Sequence, residues 1–331
     1  MRNCFITLGL FLVSALGCLG QNVYLAGSFM DGTGSQACYW HNEKLYPSHI
    51  PDLDAYYYVS VENNCACVTG IYYKSTNPYW PEHHDVHLYC GKFMNGRKIE
   101  EYIVLAARYH DTRYVNQTFR LHDAEYCNGK LYATGYITAR SYGSDKWFMY
   151  VDDEMTSCSA NTSITSYAGT IYKSDFHSIS AYGQRVDLGS SARIQDIHVA
   201  YGIVYAVGSQ NSVPCYWIDG MIKNLPLPKE SNKASVESIA VLSNGNVYAI
   251  VESGNKSFFW GGTGYANIPN AESFTKVFVL DDMIYLLGRY KNGAFSRPCY
   301  WVLYEKDGSL RQSKMVTIPN ARNVYDIVVT R

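Results

Sequence analysis

Val204 to Gly220 reads VYAVGSQNSVPCYWIDG. The alternation in VYAVG, the short polar connection and the second apolar run closed by Asp-Gly read as two antiparallel strands joined by a hairpin and followed by a tight turn. The chain writes the same pattern twice more, as VYLAGSFMDGTGSQACYWHNE from Val23 to Glu43 and as IYLLGRYKNGAFSRPCYWVLY from Ile284 to Tyr304. A hairpin repeated along one chain is a structural unit, and its period decides the architecture before any motif is interpreted.

Weaker copies complete the series. Aligned at the end of the tyrosine-containing strand, they place Gly27, Gly70, Gly135, Asp175, Gly208, Val251 and Gly288 at one repeat position, mostly 33–43 residues apart. That spacing suits the four-strand blade of a β-propeller. In SARIQDIHVAYGIVYAVGSQNSVPCYWIDGMIKNLPLP the strands can be lettered a to d: Ile194 to Ala200, Val204 to Gly208, Cys215 to Ile218, and a short d. The chain begins at strand b, at Val23, and ends on NARNVYDIVVTR, a copy of strand a. The two ends therefore complete one blade. The expected fold is all-β, a single propeller of seven blades closed by its terminal strands, with six or eight blades as the alternatives. Closure pairs edges that would otherwise invite association.

On its VYxxG and YWxxG strands the chain resembles secreted bacterial β-propeller repeat proteins and, more distantly, kelch propellers, although it has a single Gly where kelch has two. The resemblance covers most of Val23 to Arg331. It implies the fold and leaves the activity open, since propellers serve enzymes, receptors and scaffolds alike.

Residues 1–20, MRNCFITLGLFLVSALGCLG, have the layout of a secretory signal peptide, which leaves residues 21–331 as the propeller domain. Ala15-Leu-Gly-Cys18 resembles a lipoprotein box with Cys18 as the lipidated residue; cleavage after Gly20 is the rival. Either route exports the protein, to the periplasm, the cell surface or the medium, with the membrane as partner only through a lipid. A net charge of −1, from 28 Lys and Arg against 29 Asp and Glu, argues against nucleic acid. Cys38, Cys215 and Cys299 hold equivalent positions in different blades and are expected as buried thiols, whereas Cys65, Cys67, Cys90, Cys127 and Cys158 could supply one or two bridges.

The b–c hairpins are uneven. Those of blade 1 (Ser28 to Ala37), blade 2 (Tyr73 to Val86), blade 3 (Tyr136 to Lys146) and blade 7 (Arg289 to Pro298) read as long loops, and these neighbouring blades would raise one continuous wall. Within it, Tyr79 and Trp80, stiffened by Pro78 and Pro81, are the expected ligand anchors, with Tyr142 and Tyr290 as lesser contacts. His83, Asp85 and His87 would share one face of an extended segment and form the minority metal reading; no other cofactor is expected. KIEEYIVLAARYHDTRYV, Lys98 to Val115, fits either a strand d with a long loop or a short helix. No paired general acid and base can be named. The sequence thus points to a non-catalytic binding propeller for glycan or an extracellular or periplasmic protein, with a carbohydrate-active or metal-dependent enzyme second and a structural or adhesive envelope component third.

Overall fold

The computed structural model describes residues 20–30, 32, 34–50, 53, 55–75, 84–107, 118–138, 146–151, 154–228, 233–262 and 264–331. These residues form seven four-stranded antiparallel sheets, the blades of a seven-bladed β-propeller. The innermost strands a are Ala321–Thr330, Tyr56–Glu62, Thr118–Cys127, Ile164–Tyr167, Ala192–Ala200, Ser235–Val241 and Ala271–Leu280, for blades 1 to 7 in turn. Ala321–Thr330 pairs with Asn22–Met30, from Asn22 opposite Thr330 to Phe29 opposite Ala321, so both chain ends build blade 1.

The repeated glycine has a steric cause. In blades 1, 2, 3, 5, 6 and 7 the a–b register shifts by one residue, bulging strand a at Tyr325, Tyr57, His122, Gln195, Glu237 and Thr275. A bulge bends its strand toward the neighbour. A Cβ on Gly27, Gly135, Gly208 or Gly288 would sit 2.2, 2.3, 1.9 or 2.1 Å from the carbonyl oxygen of Asn323, Arg120, Arg193 or Ser273, and one on Gly70 2.6 Å from that of Ala55. Each of these carbonyls lies three residues before its blade's first residue beyond the bulge. Val251 holds the position in blade 6, so glycine is favoured there without being obligatory.

The CYW motif packs between blades. Trp40, Trp217 and Trp301 are fully buried, and Cys38, Cys215 and Cys299 stand opposite Gly27, Gly208 and Gly288. Burial pushes the Cys215 and Cys299 thiols up to about 12. All eight described cysteines are free thiols, those of the 65–158 group included, and of that group Cys67 and Cys90 pack in the apolar cluster between blades 2 and 3. Among the described residues, buried apolar clusters join six of the seven seams. The seam between blades 3 and 4 is instead bridged by polar groups: Thr134 Oγ1 donates to Thr162 O (2.6 Å), Ser166 Oγ to Glu125 (2.7 Å) and Asn128 Nδ2 to Gly169 O (2.7 Å).

One expectation is corrected, and one pair of alternatives is decided. The b–c segment of blade 7 and the described ends of those of blades 1 and 2 are paired ribbon, since pairing continues to Asn292–Phe295, Met30–Ser35 and Ser75–His84. Lys98 to Ala107 belongs to a strand d, Arg97–Ala107, and carries no helix; the remainder of that stretch lies outside the described residues.

Candidate functional site

The residue after each bulge faces the central channel, and with Ser163 of blade 4 these positions form a ring: Tyr58, Asp123, Ser163, Asp196, Ser238, Lys276 and Asp326. Most of its members bond across a seam. Asp326 Oδ2 accepts from Val59 N (3.0 Å), and Asp123 Oδ2 from Ile164 N (2.8 Å) and Ser163 Oγ (2.9 Å). The Asp196 carboxylate accepts from Ile239 N, Ser238 Oγ from Val277 N (3.3 Å), and Tyr58 donates to His122 O. Burial alone would lower the Lys276 pKa, but Asp196, Asp326, Asp123 and Glu125 together hold it above the usual lysine range. Burial raises Asp196 and Asp326 to about 6 and Glu125 to about 7, and lowers His198 to about 4, leaving its imidazole neutral. The cavity among these groups is about 100 Å³. Among the described residues no group of three or more His, Cys, Asp or Glu could hold a metal ion. The ring's polar atoms are engaged in joining blades.

At the channel mouth the chemistry changes. Between blades 1 and 2, on the face carrying the b–c hairpins, Ser28, Ser35, Ala55, Tyr57, Arg322, Asn323 and Tyr325 line a pocket of about 400 Å³. Tyr57 and Tyr325 are the bulge residues of their blades. A bulge re-aims a side chain, and here it brings the two rings to 5.0 Å between centroids at 42°. Ser28 is 1% exposed, and its Oγ is buried without a hydrogen-bond partner. Buried hydroxyls are satisfied as a rule, so an orphan at a polar pocket marks a place where a ligand or water atom completes it. Arg289 braces the rim: Nη1 donates to Arg322 O (3.1 Å) and to Asn323 Oδ1 (3.5 Å), while Nε donates to Ser296 Oγ (2.7 Å).

The residues singled out from sequence are divided by the structure. Tyr79, Trp80, His83, Tyr142 and Cys18 lie outside the described residues. Asp85 pairs opposite Lys74 and His87 opposite Tyr72, on whose ring the imidazole stacks at 4.9 Å. Tyr290 is a correction: strand alternation turns it toward blade 6, where it packs on the buried cluster between blades 6 and 7, whereas Arg289 and Lys291 take the blade 1 side. The pocket residues escaped the sequence reading because it was aligned on strands b and c. The available signal was an aromatic residue directly before the ring position, in YYYV and VYDI.

A cleft of about 840 Å³ also runs along the flank between blades 6 and 7. Its central carboxylate, Glu305, is already engaged, accepting from Asn246 Nδ2 (2.7 Å) and the Tyr248 hydroxyl (3.0 Å).

No protein-family model matches the chain, and no curated protein does so either. Among solved structures the fold is similar to that of virginiamycin B lyase from Staphylococcus aureus, with a TM-score of 0.44 and 13% identity over 82% of this chain and 87% of that one. It is also similar to Pyrococcus horikoshii acylaminoacyl peptidase (TM-score 0.45, 12% identity), where the match spans 89% of this chain and half of that one. A protein of unknown function from Bacteroides caccae gives a TM-score of 0.40 at 11% identity over 73% of this chain and 95% of that one. The chain's own seven four-stranded sheets make it a seven-bladed β-propeller.

Proposed function

We propose that the protein is a non-catalytic binding propeller that takes a sugar unit of an extracellular or cell-envelope glycan into the pocket between blades 1 and 2. The observation that carries this reading is the orphaned Ser28 hydroxyl, buried at a polar pocket with an aromatic pair. Such a pocket suits a pyranose ring, which offers hydroxyls to Ser28 and Asn323 and an apolar face to Tyr57 or Tyr325; its volume is in the range of small-ligand sites. Among the described residues no carboxylate or imidazole lines it. The protein is screened on an oligosaccharide array, and the best-bound sugar is titrated by calorimetry. Ser28→Ala and Tyr325→Ala should each weaken that sugar about tenfold or more, as truncations of interface anchors do, with an unchanged melting temperature. An array without hits, or affinity indifferent to both substitutions, overturns the reading.

One observation favours a carbohydrate-active enzyme instead: Glu125, raised to about 7 in the channel, is poised as a general acid. Release of new reducing ends that Glu125→Gln abolishes would establish it, and their absence would remove it.

A further inference from the structure

We infer that the sugar taken at the blade 1–2 seam is acidic, bearing a carboxylate or a sulfate; this rests on the binding reading above. Among the described residues the lining of the pocket contains one cation, Arg322, and no anion. Among the described residues the Arg322 guanidinium has no hydrogen-bond or ion-pair partner, although its backbone is fixed by Arg289. A guanidinium held at a pocket with all its donors unused is suited to a planar oxyanion, which it grips through two parallel hydrogen bonds.

The surroundings carry the same sign. Arg289 stands behind Asn323, bonded to the Asn323 Oδ1, which leaves the amide nitrogen of that side chain available to a ligand oxygen. Lys291, two residues along the same strand, shares the blade 1-facing side by alternation and is exposed. Arg297 is exposed on the partner strand of that hairpin. Glu272, a described acidic residue of blade 7, begins its inner strand and does not line the pocket. In a chain of net charge −1 this is a local excess of positive charge and not a general property. The aromatic pair and the Ser28 hydroxyl select the ring, and Arg322 selects its charge.

The test is calorimetric titration of the protein with trigalacturonate, with the neutral galactose trisaccharide and with a sulfated galactose trisaccharide. The expected result is at least tenfold tighter binding of one acidic sugar than of the neutral one at low salt. That ratio should fall toward one in 0.5 M salt and in Arg322→Gln, and be kept in part by Arg322→Lys. Whichever acidic sugar binds more tightly identifies carboxylate or sulfate as the group read. A neutral sugar bound as well as either acidic one, with the affinity still sensitive to Tyr325→Ala, overturns the charge inference and leaves the pocket standing. Binding of none of the three sugars overturns the charge inference. Binding indifferent to Ser28→Ala and Tyr325→Ala overturns the pocket reading and this inference together.

Discussion

Asp123→Ala tests whether the channel ring holds the propeller together. Asp123 spans the seam between blades 3 and 4, where no described apolar cluster assists it. Its Oδ2 accepts from Ile164 N and Ser163 Oγ of blade 4, and its Oδ1 accepts from Ala124 N (2.9 Å) in its own strand. Two bonds across the seam to a carboxylate, at about 1.5–3 kcal/mol each, put the loss near 4 kcal/mol, with buried amides left unpaired. For 331 residues at about 2.1 cal/mol/K each, that corresponds to a fall of about 6 °C in melting temperature. Asp123→Asn keeps one good acceptor and should lose about half as much. The distribution of the damage matters as much as its size. Hydrogen exchange followed by mass spectrometry should show the strands of blade 4, 164–187, opening ahead of the rest in Asp123→Ala. In Asp196→Ala the seam is backed by the apolar cluster between blades 5 and 6, so exchange there should rise only with global unfolding. A loss under about 1 kcal/mol, or exchange raised evenly around the ring in Asp123→Ala, would refute the argument.

Two further outcomes are expected. Stability should decline as pH rises from about 4 to about 7, because Asp196, Asp326 and Glu125, held above their ordinary values of 3.8, 3.8 and 4.5, outweigh the one buried His198, whose lowering to about 4 acts in the opposite sense. The stabilising contribution of the three carboxyls is complete below the unfolded values and is gone above the folded ones; Glu125→Gln should flatten the upper part of the slope, and melting curves that rise across this window would contradict the assignment. Deleting residues 323–331 removes the strand that pairs with Asn22–Met30 and should produce oligomers on size-exclusion chromatography through the bared edge. A monomer of unchanged melting temperature would show that terminal pairing is dispensable.

The architecture was legible because its physical causes leave residues behind. A bulge that presses a carbonyl against the next strand demands glycine at Gly27, Gly70, Gly135, Gly208 and Gly288, and a blade seam demands a large buried ring at Trp40, Trp217 and Trp301. The glycine recurs in five blades and the fully buried tryptophan in three, each at one repeat position, and recurrence can be read in a single sequence. The strand a positions were legible in principle: Asp123, Asp196 and Asp326 each stand before an apolar residue at one repeat position, but Tyr58, Ser163, Ser238 and Lys276 share only a location and no chemistry. The pocket leaves a periodic trace in the two bulge residues Tyr57 and Tyr325 and none in Ser28 and Asn323. Ser28, Tyr57, Asn323 and Tyr325 come from three strands remote in sequence and meet only because the ring closes. Tyr290 shows the opposite error, in which an exposed-looking aromatic was placed by composition when the period of two along its strand decided its side.

On the binding reading proposed above, a pocket placed where the two terminal strands pair would tie recognition to closure. Ser28 comes from the first strand, Asn323 and Tyr325 from the last, and Tyr57 from the blade against which they pack. A ligand that touches all four can bind only the closed ring, so it stabilises closure by its own mass action, about 2.7 kcal/mol at a hundred times its dissociation constant. The terminal pairing also has its strand bonds and the apolar contacts of Val23, Leu25, Val324 and Ile327 to hold it. The channel ring serves the same end from inside: Asp326 belongs to the last strand, and its bond to Val59 fastens that strand to blade 2 directly beneath the pocket floor. The bulge separates the two positions by one residue, turning Tyr325 toward the pocket and Asp326 toward the neighbouring blade.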